Sequence, residues 1–307
     1  MNKRAYIISL LLLTAVTLSA APRYSTGRVT HWLGISLAGF EANPILGGNT
    51  SVKALAGGGG QAALLYEIHR GHFFFNIGVG ADYTLTATAL NSYADEFPRV
   101  DYTGEEVLYR YIYSSFREQQ TQLRVVVPFQ FGYRFGDWFY AAVGAAFRTE
   151  PLLNGFSSAT RMLAEGEYDR FIQPIRNTEA YGYWPEADYS GKGKVQSATH
   201  EMAVEVELGA RIPLYYGVQM RVGAYLGYDI PLLQYGRRSD TPLVDYTAVD
   251  SNPTTWTQAN LAENIRFNSM LDAHVINRNA QRIRAGIKLT FVFNVTQQKQ
   301  PCMCTDD

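Results

Sequence analysis

The chain has 307 residues, a formal net charge of −1 and a hydrophobic content of 47%, with 21 tyrosines and 27 glycines. A charge this close to zero argues against a nucleic-acid partner, which normally requires a basic patch or stripe. After the first 21 residues no run of 18 or more apolar residues occurs, so the sequence predicts no transmembrane helix.

Residues 1–21 have the pattern of a secretory signal peptide. Lys3 and Arg4 precede an apolar run, and Ser19 and Ala21 supply the small residues at which such peptides are cleaved. The sequence therefore predicts an exported mature chain that begins near residue 22.

The mature sequence alternates apolar and polar residues with a period of two, which is typical of strands with one apolar face. In chain order this pattern predicts strands at about 31–40, 57–68, 72–85, 121–135, 138–148, 201–214, 217–230 and 280–294. The run Gly57–Gly60 is weak strand material. It is not favoured as a phosphate-binding loop either, because neither a helix nor a Lys-Ser/Thr pair follows it. Pro128 cannot donate a ladder hydrogen bond, so we predict a bulge there.

The last segment, residues 280–294, alternates along its whole length, with Arg282, Arg284 and Lys288 on its polar face. Its ending resembles the carboxy-terminal insertion signal of bacterial outer-membrane proteins, in which alternate hydrophobic residues follow a polar residue and a glycine. The residues that carry this resemblance are Gly286, Leu289, Phe291 and Phe293.

Short and long connections alternate between the predicted strands. Tight turns are expected around His69–Gly71, Gly136–Asp137 and Tyr215–Gly217, whereas the other connections are long. Short turns at one end and long loops at the other are typical of an up-and-down outer-membrane barrel, with the turns periplasmic and the loops extracellular. The long connections are at about 41–56, 86–120, 149–200 and 231–279.

Charge placement distinguishes a membrane barrel from a soluble one. One face of every predicted strand is apolar, and the other faces together carry six acids and eight bases, which we assign to the lumen. A cation on the lipid face near the bilayer midplane would cost about 2–4 kcal/mol. The predicted lumen charges are Glu67, Asp82, Arg124, Arg134, Arg148, Glu201, Glu205, Glu207, Arg211, Arg221, Asp229, Arg282, Arg284 and Lys288.

Aromatic residues cluster at both ends of the predicted strands, as the two interfaces of a membrane barrel require. Those at the opposite end from the periplasmic turns are Tyr83, Phe147 and Tyr228. Those at the periplasmic end are Tyr66, Phe73, Phe75, Tyr133, Phe135, Phe139, Tyr215, Tyr216, Phe291 and Phe293.

With these features the chain resembles, over about residues 28–295, the eight-stranded outer-membrane barrels of the OmpA/OmpX type. The resemblance implies an all-β, antiparallel barrel over residues 22–295 in a Gram-negative outer membrane, followed by a polar periplasmic tail at 296–307. Envelope-structural proteins, adhesins, lipid A modifying enzymes and secretion accessories share this architecture, so it does not select a function.

The lumen charges give the first functional expectation. An eight-stranded barrel leaves room only for side chains, so the acids and bases should pair and form a plug. A narrow channel between rearranged pairs is the alternative.

The long loops are rich in tyrosine, which provides rigid, amphipathic contact area and suits a binding surface. The segment that contains Tyr109, Tyr111 and Tyr113 could instead extend the strands above the membrane. Residues 255–273 have helix-like spacing and could cover the mouth. The other loop residues considered are Tyr93, Tyr102, Tyr168, Tyr181, Tyr183, Trp184 and Tyr189.

A catalytic role is not favoured. His200 and His274 are candidate general bases, but barrel lipid A deacylases use a His and a Ser that lie together on one strand. Here Ser197 and His200 are three residues apart and therefore face opposite sides of a strand. His31, His69 and His72 map to the periplasmic end, and we predict neither a metal nor a cofactor.

The tail contains the only two cysteines, Cys302 and Cys304, which could form a disulfide, pair with a partner or bind a metal. We predict a non-catalytic barrel that serves envelope structure or surface binding, with a narrow porin or an accessory subunit of a secretion or assembly complex as alternatives. The expected partners are outer-membrane lipid, the barrel assembly machinery during insertion, and a periplasmic or surface protein.

Overall fold

A computed structural model describes residues 29–45, 52–100, 104–178, 183, 185–195, 198–215, 217–235, 242–245, 266–273 and 281–296. The predicted signal peptide, His274 and the tail cysteines lie outside these residues, as do Ser197, Tyr102, Tyr181 and Trp184. Among the described residues there is no helix long and apolar enough to cross a bilayer.

The chain forms twelve strands within these ranges. They are β1 (Val29–Ile45), β2 (Val52–Arg70), β3 (Phe73–Val100), β4 (Glu106–Phe135), β5 (Phe139–Arg148), β6 (Leu153–Glu167), β7 (Ala187–Lys194), β8 (Ala198–Tyr215), β9 (Val218–Tyr235), β10 (Val244–Asp245), β11 (Arg266–Phe267) and β12 (Gln281–Asn294).

Eight of the strands form a closed antiparallel ring in the order β3-β2-β1-β12-β9-β8-β5-β4, in which β4 pairs with β3 again. The ring closes through β1 and β12, which pair from Trp32 opposite Asn294 to Ile45 opposite Gln281. This arrangement confirms the predicted eight-stranded barrel.

The strands β6 and β7 extend the ring upward. Along β4, the pairing passes from β5 at Val126 opposite Arg148 to β6 at Leu123 opposite Leu153. β6 therefore continues the line of β5 after a short break, and β7 pairs with β6 in turn. These strands lie within the long connection that was predicted at 149–200.

The three tight turns at the other end each contain a glycine with a positive φ, namely Gly71 at 59°, Gly136 at 61° and Gly217 at 76°. Glycine adopts this left-handed conformation without the steric cost of a Cβ atom. The predicted short turns are therefore confirmed, and they define the periplasmic end.

β3 and β4 are much longer than the sequence pattern indicated, with 28 and 30 residues. A tilted strand needs only about 9–11 residues to cross a bilayer. The prediction of a long loop at 86–120 was wrong, because most of that segment continues the two strands above the membrane. We call β6, β7 and the parts of β3 and β4 within residues 86–121 the extracellular sheet.

Two smaller predictions were also wrong. Pro128 interrupts pairing with β3, but the register is the same on both sides of it, so there is no bulge. Its missing N–H removes a ladder donor without adding a residue to the strand. The described part of the segment 255–273 forms a two-residue strand and a turn rather than a helix.

The two faces of the ring differ in the way that a bilayer requires. Large apolar side chains are exposed on the outside, including Leu64 (63%), Leu208 (66%) and Ile287 (65%). At the periplasmic edge, the ring of Phe73 packs edge-on against that of Tyr133 at a centroid distance of 5.0 Å. The exterior is therefore an apolar band with aromatic residues at its edge.

The closing strand requires the glycine of the predicted insertion signal. A Cβ atom at Gly286 would lie 2.1 Å from the carbonyl oxygen of Gly39 and 2.8 Å from the Cα of Phe40. Leu289, Phe291 and Phe293 lie on the opposite, outward face of β12. Gly286 thus allows Phe40 to pack closely against the inner side of β12.

The lipid face gives a first test. We expect Val206→Arg, at a position that is 48% exposed on β8, to lower the free energy of unfolding by about 2–4 kcal/mol. Urea unfolding in lipid vesicles, followed by tryptophan fluorescence, measures this difference. The control, Ser157→Arg on the exposed face of β6 above the membrane, should change it by less than about 0.5 kcal/mol. Equal losses would contradict a lipid-facing position for Val206.

Candidate functional site: the charged lumen and the extracellular sheet

The structure places the fourteen predicted lumen charges on the inward side of the ring. Twelve of them are buried, and only Arg134 and Arg211 are partly exposed. Arg124, Arg148 and Arg284 are among the largest fully buried side chains. A buried guanidinium is stable only when it is paired and hydrogen-bonded, so the contacts of these residues define the lumen.

The middle of the lumen holds an acid–base cluster of four side chains. Arg148 contacts Asp82 (Nε to Oδ2, 3.2 Å) and Asp229 (Nη1 to Oδ1, 2.8 Å). Arg284 contacts the same two carboxylates, through Nη1 and Nε, at 2.6 Å each. Arg148 also contacts a fifth side chain, Glu205, at 3.1 Å from Nη2 to Oε1. These residues come from β3, β5, β8, β9 and β12, so the cluster connects strands across the lumen.

An outer layer lies toward the extracellular end. The carboxylate of Glu201 bridges Arg124 and Arg282. Gln122 Oε1 accepts hydrogen bonds from both guanidinium groups, at 2.9 Å from Arg124 and 3.0 Å from Arg282. The side chains of this layer therefore join three sides of the ring.

An inner layer lies toward the periplasm. Lys288 Nζ is 2.9 Å from Glu207 Oε2, to which Gln130 Nε2 also donates at 2.7 Å. Below this pair, Glu67 contacts Arg221 and His69. The guanidinium of Arg221 also lies over the ring of Phe74, at 4.6 Å from its centroid.

Above the membrane, the extracellular sheet has an apolar core of its own. Most of the described loop tyrosines belong to it: Tyr109, Tyr111, Tyr113, Tyr168, Tyr183 and Tyr189 are buried there. The interpretation of these rings as a contact surface was therefore wrong, because each is at most 8% exposed. They instead hold the protruding sheet together. The alternative, that Tyr109, Tyr111 and Tyr113 lie in an extended strand, is confirmed by β4.

Two buried acids of the extracellular sheet bind the connection between β9 and β12. Asp95 Oδ2 accepts a hydrogen bond from the backbone N of Leu243 at 2.9 Å. Glu118 accepts hydrogen bonds from the backbone N of Met270 (2.7 Å) and the hydroxyl of Ser269 (2.6 Å). We call residues 242–245 and 266–273 the anchored segments.

Neither acid was among the predicted site residues. Glu118 follows the inward alternation of Gln120 and Gln122, a signal that was available once β4 was extended. Asp95 did not follow from the alternation of β3. The residues of this strand that face inward have even numbers before Ser92 and odd numbers after it, where Ser92 has a positive φ of 53°.

The four histidines in the described ranges do not converge on one site. His31 Nδ1 is 2.6 Å from the hydroxyl of Tyr66, whereas the ring of His69 stacks on Trp32 at 5.0 Å. His72 Nδ1 is 3.2 Å from the backbone oxygen of Arg134. His200 Nε2 lies 3.7 Å from Glu150 Oε1 at the outer rim. Within the described ranges, no three His, Cys, Asp or Glu side chains are placed to hold a metal.

A closed ring of eight antiparallel strands, an apolar exterior and a charged interior together define an outer-membrane β-barrel. Among solved structures, the chain is similar to Ail, the attachment invasion locus protein of Yersinia pestis, in complex with the heparin analogue sucrose octasulfate. The identity is 7% and the TM-score 0.22, over 86% of this chain and 98% of that chain.

A FadL homologue of Pseudomonas aeruginosa is similar at 8% identity and a TM-score of 0.17, over 88% of this chain and 91% of that chain. Both scores are too low to support an argument. No protein-family model and no curated protein matches the sequence. The assignment to the class therefore rests on the ring and its two faces.

Glu118, the buried acid of β4 that binds residues 266–273, should make the attachment of that segment depend on pH. Glu118 lies in β4, 17 residues from the periplasmic end at Phe135 and thus above the membrane. Burial, with a smaller effect from the charge of Asp272, raises the pKa of Glu118 from 4.5 to about 7. Because the folded pKa is raised, attachment is most stable below pH 4.5 and weakens as the pH rises through about 7.

Hydrogen exchange of residues 266–273, corrected for the intrinsic rate at each pH, should show this loss of protection. In Glu118→Gln the protection should no longer change across that range. The control Glu96→Gln, at an exposed carboxylate paired with Arg110, should behave like the natural chain. Protection that is flat in the natural chain would contradict the role of Glu118.

Proposed function

We propose that this outer-membrane barrel is non-catalytic, has a lumen closed by its ion pairs, and binds an extracellular partner through the sheet that β3, β4, β6 and β7 raise above the membrane. The observation that carries the proposal is the length of β3 and β4. Envelope anchoring alone would need strands of about 9–11 residues, whereas these have 28 and 30.

The core of the extracellular sheet supports the same proposal. Its buried tyrosines contact one another, as Tyr168 and Tyr183 do: their rings meet edge-on and their hydroxyl oxygens are 2.9 Å apart. Asp95 and Glu118 fix a further connection against its inner face. A sheet that is ordered before binding loses little conformational entropy when it binds, which favours affinity.

The packing of the lumen supports closure. An eight-stranded barrel has an interior that side chains fill, and here the acid–base layers span it at three levels. A resting channel would require these pairs to separate, which would leave buried charges uncompensated. The narrow-channel alternative therefore needs a rearranged lumen.

Single-channel recording in planar bilayers tests closure. We expect the refolded mature protein to give no stable conductance steps, because the ion pairs cross the lumen. Arg161→Gln, at an exposed residue above the membrane, is the control for changes outside the lumen. Stable steps whose size changes in Arg284→Gln or Glu205→Gln, but not in Arg161→Gln, would overturn closure and make the protein a small porin.

A shortened hairpin tests surface binding. Asn91 and Ser115 are cross-strand partners, so an Asn-Gly turn can replace residues 92–114. We expect bacteria that display the full chain to adhere to protein-coated or polysaccharide-coated surfaces more than bacteria with the shortened barrel. Heat-modified migration on gels controls for barrel folding. Equal adhesion of two folded barrels on every surface would contradict a binding role for the extracellular sheet.

A further inference from the structure

Two of the eight bases in the lumen have no place in the three layers of ion pairs. Six carboxylates and six cationic side chains form the three layers. The acids are Glu67, Asp82, Glu201, Glu205, Glu207 and Asp229, and the cations are Arg124, Arg148, Arg221, Arg282, Arg284 and Lys288. The remaining two of the eight bases are Arg134 and Arg211. The surplus charge is therefore confined to these two residues.

Both remaining arginines lie at the periplasmic mouth. Arg134 is next to Phe135, the last residue of β4, and Arg211 lies near the end of β8. Arg134 donates to the backbone oxygen of Gly71 through Nη2. Within the described residues, no carboxylate lies within 4.0 Å of either guanidinium group. Asp137, on an exposed turn, is the acid that acts on both from a greater distance.

The strand register brings a third arginine to the same place. Arg211 is directly opposite Arg221 in the β8–β9 ladder. Arg134 is close enough to be repelled by the positive charges of both. Like charges directly opposite each other destabilise a sheet. The carboxylate of Glu67 contacts Arg221 and attracts Arg134 from farther away. Arg134 and Arg211 therefore repel each other with no carboxylate of the described residues in direct contact with either.

Several buried N–H donors at this mouth lack an acceptor. They are the Nε atoms of Arg134, Arg211 and Arg221 and the amide Nε2 of Gln219, none of which has a hydrogen-bond partner in the described part of the chain. Gln219 is only 6% exposed and is two residues from Arg221 on the same strand. A buried donor without an acceptor is costly, and all four atoms would be satisfied by the same kind of ligand.

We propose that the periplasmic mouth of the barrel is a binding site for a doubly charged oxyanion, best fitted by a phosphate group. Arg134 and Arg211 supply the compensating charges, and Gln219 and Arg221 supply further donors. Guanidinium groups match the geometry of phosphate oxygens with paired N–H bonds. The phosphate could be free phosphate of the periplasm or the phosphomonoester headgroup of a membrane lipid such as phosphatidic acid, since both can carry two negative charges.

Calorimetric titration of the refolded full-length chain with inorganic phosphate tests the site. A maltoside detergent supplies no phosphate, and at about pH 8 the ligand is mostly the dianion. We expect saturable binding that chloride of equal ionic strength does not reproduce. Arg211→Gln and Arg134→Gln should each weaken it by about tenfold or more, since each removes a charge-assisted hydrogen bond.

Two further variants complete the test. Arg161→Gln removes an exposed arginine far from the mouth and should leave phosphate binding unchanged. Arg211→Lys keeps the charge but loses the planar fork, so its binding should lie between those of the natural chain and Arg211→Gln. This variant also tests the site if Arg211→Gln does not refold. Absence of saturable binding, or equal binding in both glutamine variants and the natural chain, would overturn the proposal.

Lipid nanodiscs distinguish the two sources of phosphate. If phosphatidic acid in the disc abolishes the binding of inorganic phosphate, the lipid headgroup occupies the mouth. If binding is the same as in detergent, the ligand is free phosphate. Both results support the site, and they differ only in the molecule that carries the phosphate.

Discussion

The structure depends on the acid–base cluster of Asp82, Asp229, Arg148 and Arg284 at the centre of the barrel. Hydrogen bonds of the ladder join each strand only to its two neighbours, whereas three of these four contacts join strands that are not neighbours in the ring. Removing one member would leave its partners as buried, uncompensated charges, which costs several kcal/mol. The cluster therefore couples four of the eight strands, β3, β5, β9 and β12, to one another across the lumen.

The same cluster and the surrounding lipid fix the register of the strands. A shift of one residue would turn every side chain of a strand to the other face. For β12 that shift would move Arg282, Arg284 and Lys288 into lipid and Ile283 and Ile287 into the lumen. Loss of ion pairs inside and exposure of cations outside would then act in the same direction, so one alignment is strongly preferred.

The eight-stranded ring could be predicted from the sequence because its period-two pattern is unbroken within the membrane. The extension of β3 and β4 remained one of two interpretations, since the alternation changes phase near Ser92 and Ser114 and the buried tyrosines resemble those of a binding loop. Which acid pairs with which base in the lumen could not be predicted from the sequence. Asp82 and Arg284 are 202 positions apart, and only the curvature of the ring brings them together.

The pairing of β1 with β12 has a consequence for the order of folding. The other neighbouring pairs of the ring join residues at most 75 positions apart, whereas this seam joins residues more than 230 positions apart. Contacts of such separation form slowly, because a long loop must close first. Until β12 pairs with β1, the sheet has two unpaired edges that can pair with strands of other chains. Protection of those edges must therefore come from outside the molecule.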